Sequence, residues 1–316
     1  MITNTLFQKS VALLVFTLFL GVLFSSGSVY AADKSIVSKK YPHLKFGFTS
    51  QNLAKWLPNS VDNLKAVIDF AKQKGFAFIE LRDANAGLSY DDAKKVAAYA
   101  KKKKIEVIYA MGQGGLDSNY FELFSRGLAN TRLFDGPRFA RTAAFGKEFA
   151  ADPKKQFWTA AEFSQLVQNL NQAGNTAATF GYTLYVENAF EGLKGDGVNT
   201  FGTADLFGPK GVNSNVGFQL DTANFFCTSR AENSPGDVKA FFEENVKRMG
   251  YTHLKTSINK TPGQVLDGNE VPFETFLDLL AKNGKVYVAF ELANADTLEN
   301  EKINHQKSID YLIKNF

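Results

Sequence analysis

Four residues in the second half of the chain have side chains that do chemistry together: Glu187 in LYVENA, Asp221 in FQLDTAN, His253 in YTHLKTS and Glu291 in VAFELAN. Each closes a short apolar run, and successive members are separated by 34, 32 and 38 residues. Three carboxylates and an imidazole brought to one place would repel one another unless a cation held them. An oxygen-rich set with one nitrogen suits a divalent ion, Mn²⁺ or Mg²⁺ first, with Zn²⁺ or Co²⁺ as alternatives. Taken singly, an acidic residue at a strand end is more often a helix cap or an ion-pair partner than a ligand, and a lone histidine is more often a satisfied core residue. The common phase of the four is what points to a shared site.

The elements that must position them alternate in kind. Runs rich in apolar residues predict strands at Lys45–Thr49, Phe76–Leu81, Ile105–Ala110, Thr131–Phe134, Thr183–Glu187, Val216–Asp221, Thr252–Lys255 and Val286–Leu292. Their near-continuous hydrophobicity fits parallel strands buried on both faces. Between them, helical spacing marks a helix capped by Ser60 and stopped by Gly75, then Tyr90–Lys103, Thr159–Phe180, Pro235–Met249, Pro272–Lys282 and Lys302–Lys314. Thr159 and Glu162 have capping-box spacing. Alternation of this kind builds a parallel sheet with right-handed crossovers. Eight βα units favour a closed α/β (β/α)₈ TIM barrel over a doubly wound sheet, the latter kept open by the poorly defined fourth unit. In a barrel, catalytic groups stand at the carboxyl ends of the strands, which is where the four residues fall.

Residues 1–31 read as a signal peptide. Lys9 precedes an apolar run from Val11 to Phe24, and Val29-Tyr30-Ala31 offers a small-residue exit. That run is shorter than the roughly 20 residues needed to span a bilayer, so export to the periplasm or medium is expected, with no membrane attachment after cleavage. Residues 32–316 then form a single domain. The formal charge of +4 loses Lys9 with the signal, leaving +3, too balanced for a nucleic-acid surface. Cys227 is the only cysteine, so stability rests on a large core rather than on an internal disulfide.

The order of short motifs resembles the xylose-isomerase-like TIM barrels of sugar isomerases and epimerases. Glu80 in FIELRD is similar to that family's second-strand motif, Glu187-Asn188 to its fifth, Asp221-Thr222 to its sixth and His253-Leu254-Lys255 to its seventh. Leu266–Phe273 and Phe290-Glu291-Leu292 resemble later motifs. The resemblance implies a metal held by Glu187, Asp221, His253 and Glu291 that chelates the carbonyl and adjacent hydroxyl of a small sugar. Glu187 and Glu291 would move protons through an enediolate, and Glu80, Asn188, Asn224, Lys255 and Trp56 would contact substrate. It also allows a homo-oligomer, since members are often dimers or tetramers. The chain departs from the pattern where relatives carry histidine and it has Asn224, and at Ala189 and Thr256. A lyase or dehydratase of the same superfamily and a non-catalytic carbohydrate-binding barrel are the alternatives. Arg138 and Arg141 fall in a stretch, Asp135–Trp158, read as a lid-like insertion bearing surface cations.

Overall fold

The computed structural model describes residues 35–83, 87–267 and 270–316. The expected signal peptide, and Gly268-Asn269 within the Leu266–Phe273 motif, lie outside the described residues. Among the described residues, no helix is long and apolar enough to cross a membrane.

Eight parallel strands close into a barrel: β1 (Lys45–Thr49), β2 (Phe78–Arg82), β3 (Glu106–Gly114), β4 (Phe139–Ala143), β5 (Thr183–Glu187), β6 (Val216–Asp221), β7 (Met249–Leu254) and β8 (Tyr287–Phe290). Each pairs with its neighbours in sequence, and β8 closes onto β1 with Lys45 opposite Tyr287. Among the described residues, seven long helices wrap it: α1 (Val61–Lys74), α2 (Tyr90–Lys103), α3 (Tyr120–Thr131), α4 (Ala160–Thr179), α5 (Pro235–Asn245), α6 (Phe273–Lys282) and α7 (Leu298–Asn315). The fifth crossover is a long loop with a single short helix, Thr203–Leu206.

Local chemistry sets the boundaries. The Ser60 hydroxyl accepts from Asn63 N at the start of α1, and Gly75 ends it in the left-handed region at φ 81°. Thr159 and Glu162 form the expected capping box at α4. The fourth unit differs from expectation. Thr131 is the last residue of α3, and Leu133-Phe134 lie in the turn beyond it. The barrel strand is Phe139–Ala143 instead. Phe134 is buried and Leu133 half-buried by packing outside the barrel rather than by pairing within it, which a short apolar run does not distinguish.

Along each strand, alternate residues face the helices or the barrel axis. Phe46, Phe48, Ile79, Leu81, Leu184, Val186, Leu220 and Leu254 join the main core between sheet and helices. The inward positions at the amino-terminal end carry rings. Phe139 lies 5.1 Å from Tyr185 and 6.1 Å from Tyr251, and Phe78 lies 5.3 Å from Tyr287. Glycine opposite these rings is a steric requirement. A Cβ on Gly47 would stand 2.7 Å from the Phe78 ring, and one on Gly217 would stand 2.4 Å from that of Tyr185. Above this aromatic floor the inward residues become polar and charged. The chemistry begins there.

Candidate metal centre

Glu187 ends β5, Asp221 ends β6, His253 is the penultimate residue of β7, and Glu291 directly follows β8. Cα pairing sets Asp221 beside His253. One donor atom from each of Glu187, Asp221, His253 and Glu291 lies within 4.8 Å of the other three. The residue after each of two ligands stitches its strand end to the next. The Asn188 amide accepts from Asp221 N at 2.9 Å and donates to Asp221 O at 3.2 Å. The Thr222 hydroxyl accepts from Lys255 N at 3.1 Å and donates to Lys255 O at 3.0 Å. The paired motifs Glu187-Asn188 and Asp221-Thr222 thus each join a ligand to its own fixing residue.

The unpaired donors converge. Glu187 Oε1, Asp221 Oδ2, His253 Nδ1 and Glu291 Oε2 are buried with no well-directed hydrogen bond, and Nδ1 lies 2.9 Å from Glu187 Oε1 and 2.7 Å from Glu291 Oε2. Buried polar atoms are ordinarily satisfied, and four orphans aimed at one point from three carboxylates and an imidazole fit a divalent cation. The opposite edge of each ligand is held. Asp221 Oδ1 accepts from Ala223 N at 3.0 Å and Asn224 N at 2.9 Å. His253 Nε2 lies 2.7 Å from Glu80 Oε2. An ionised carboxylate only accepts, so Nε2 donates to Glu80, and Nδ1 is the nitrogen that faces the cluster. Burial would raise the Glu80 carboxyl, but the charges of His253 and Arg141 and the hydrogen bonds from His253 and Tyr251 hold it at about 2. Burial would lower the His253 imidazole, and Glu80 and Glu291 raise it well above its ordinary value.

Glu80 and Asn188, expected against substrate, are engaged by the barrel's own residues. Glu80 lies two residues below the strand end, fully buried, with Tyr251 OH also donating to its Oε2 at 2.7 Å. Both amide atoms of Asn188 are used by β6. Asn224 and Lys255 stand beside the donor cluster. Lys255 Nζ donates to Asn224 Oδ1 at 3.0 Å and to Glu291 Oε1 at 3.0 Å, and lies 3.5 Å from Asp221 Oδ2. Burial would lower the Lys255 ammonium, but Asp221 and Glu291 hold it above its ordinary value. Trp56 is half-buried on the loop after β1 with Lys55 Nζ 5.0 Å above its ring.

Two residues of the site went unread in the sequence. Arg141 is a fully buried, inward member of β4, not a surface cation. Its guanidinium pairs with Glu187 Oε2 and donates to Met111 O at 3.1 Å. Arg138, three residues earlier, is exposed and donates to Tyr182 OH at 2.9 Å. Glu191, in the loop after β5, is also fully buried. It accepts from Ala189 N at 3.1 Å and from the Thr203 hydroxyl at 2.9 Å, and so pins both ends of that loop.

Burial, with the nearby Glu187 charge, raises the Glu191 carboxyl to about 7. A carboxyl raised in the folded state favours folding below its unfolded value near 4.5 and loses that advantage as pH climbs through 7. The folded protein should accordingly lose about 3 kcal/mol between pH 4.5 and pH 7 from this group alone. Glu191→Gln should flatten that limb, so that the variant gains on the wild type between pH 5 and pH 8 in urea unfolding. An unchanged difference between the two proteins across that range would dismiss the assignment.

Comparison with known proteins agrees with this architecture. The model of the family described as xylose isomerase-like TIM barrel matches residues 68–315. No curated protein sequence matches the chain. Among solved structures, a xylose isomerase-like TIM barrel protein from Mycobacterium smegmatis in complex with magnesium aligns with TM-score 0.63 at 15% identity, covering 86% of this chain and 97% of that one. The 3-keto-D-glucoside 4-epimerase from E. coli gives 0.62 at 16%, covering 86% and 99%. A sugar phosphate isomerase/epimerase from Parabacteroides distasonis gives 0.64 at 13%, covering 90% and 98%. At these identities the likeness is one of fold.

Proposed function

Because the chain belongs to the xylose isomerase-like TIM barrel family, we propose that it is a divalent-metal-dependent sugar isomerase or epimerase, exported by the signal peptide read in residues 1–31. The observation that carries this reading is the convergence of four buried, unpartnered donor atoms at the carboxyl end of the barrel. Glu187, Asp221, His253 and Glu291 would hold the ion, Mn²⁺ or Mg²⁺ by their oxygen-rich character. When bound, the ion supplies Lewis acidity that stabilises negative charge on a substrate carbonyl.

The chain's own groups divide the remaining work. Glu291, with its side chain 13% exposed, is the carboxylate most open to a ligand and takes the proton next to the carbonyl. Glu187 lies across the cluster, within 2.9 Å of His253 Nδ1, and is the second proton-transfer group in the epimerase form of the reaction. Lys255, donating to Glu291 Oε1, places a cation where charge develops on the substrate oxygen. Barrels of similar fold are named as acting on a keto-glucoside and on sugar phosphates. An exported protein would more often meet unphosphorylated sugars. Elimination of water beside the carbonyl is a second reading, in which the Lys255 ammonium would donate a hydrogen bond to the leaving hydroxyl.

The test is elemental analysis of the purified protein, followed by incubation with Mn²⁺ and a panel of ketoses in D₂O. A single divalent ion per chain is expected, together with deuterium at a carbon adjacent to the carbonyl that disappears after EDTA treatment. A protein that takes up no divalent ion overturns the reading.

A further inference from the structure

Arg141 is the largest buried group of the site that the proposed chemistry leaves without a task. It is fully buried on β4, the strand neighbouring β5, and its guanidinium reaches one oxygen of Glu187 while the other oxygen faces the donor cluster. A buried arginine is always charged. It therefore does two things to Glu187 at once. It occupies Oε2, so that the carboxylate offers the centre a single oxygen and cannot bridge to a second ion. It also brings a fixed positive charge to within one carboxylate's width of any ion held there.

The charges around the cluster show what that cation balances. Glu80, Glu187, Asp221 and Glu291 bring four negative charges, Arg141 and Lys255 bring two positive ones, and Arg82 lies 3.9 Å from Glu291 Oε1. Without Arg141, the same set would carry one positive charge fewer and would hold a divalent ion more strongly.

We propose that Arg141 is a built-in counter-cation that keeps the centre mononuclear and its metal exchangeable, at the cost of binding strength. The inference rests on the metal reading above. It concerns metal affinity, not turnover. Like charges a few ångströms apart in a partly desolvated site repel strongly, and even a fraction of that repulsion corresponds to about tenfold or more in a dissociation constant.

The experiment is a Mn²⁺ titration, with free ion followed by electron paramagnetic resonance, on wild type, Arg141→Met and Arg141→Lys. Arg141→Met should bind Mn²⁺ at least about tenfold more tightly than wild type, and Arg141→Lys should stay within about threefold of it. Unchanged or weaker binding by Arg141→Met overturns the proposal, since a residue that only oriented Glu187 would weaken binding when removed. If that variant does not fold, the comparison passes to Glu187→Gln with and without Arg141→Met. Removing the arginine should again tighten binding about tenfold, and equal binding overturns the proposal. A wild type that binds no Mn²⁺ in the same titration sinks the metal reading itself, so the two failures are told apart.

Discussion

Glu291→Gln is expected to slow exchange of the proton next to a ketose carbonyl by about a thousandfold in the Mn²⁺-loaded protein. Removing a general acid–base group costs roughly 10² to 10⁴ in rate. The amide is nearly isosteric with the carboxylate and can still accept from Lys255 Nζ, which lies 3.0 Å from Oε1. What it loses is the capacity to take up a proton. Glu187 cannot simply substitute for it, because one of its oxygens is committed to Arg141. Deuterium incorporation followed by NMR in D₂O is the measurement. Exchange within tenfold of wild type would mean that the proton moves elsewhere.

The second large effect concerns stability. His253→Ala should lower the stability of the metal-free protein by about 3–5 kcal/mol, because it leaves Glu80 as an uncompensated buried charge. Glu80 is fully buried, and its Oε2 is bonded to His253 Nε2 and Tyr251 OH, each at 2.7 Å. For a chain of this size that corresponds to a melting temperature lower by about 10 °C. Calorimetry on His253→Ala, on Glu80→Gln and on the double variant separates the pair from its members. The double variant should recover part of the loss. If the two single losses simply add, Glu80 and His253 are not coupled and the carboxylate–imidazole arrangement is not what orients the ring.

The four clustered residues were legible because each ends an apolar run, and because the runs recur at the spacing of a βα unit. The barrel followed from the same alternation. Glu80 was recognised as part of the site, with substrate as its expected contact. Only its depth, two residues below the strand end with its carboxylate turned to His253, shows it to be a holder of the ring. Arg141 was hidden for a different reason. FARTA lacks the branched apolar residues that announce a buried strand, whereas the nearby Thr131–Phe134, which ends a helix, supplies them. Charged residues inside a barrel interrupt the pattern by which its strands are recognised, so the strand that carries Arg141 was the hardest to place. Glu191 carried no signal at all, since nothing in its loop marks a carboxyl for burial.

The aromatic floor of the barrel has a consequence for traffic. With Phe78, Phe139, Tyr185, Tyr251 and Tyr287 packed across the amino-terminal end, the enclosure is a cup and not a pipe. Everything that arrives must depart by the same doorway, past the same loops. Under the proposed reaction, a product would leave by the entrance through which the next substrate arrives, and the two would compete for it.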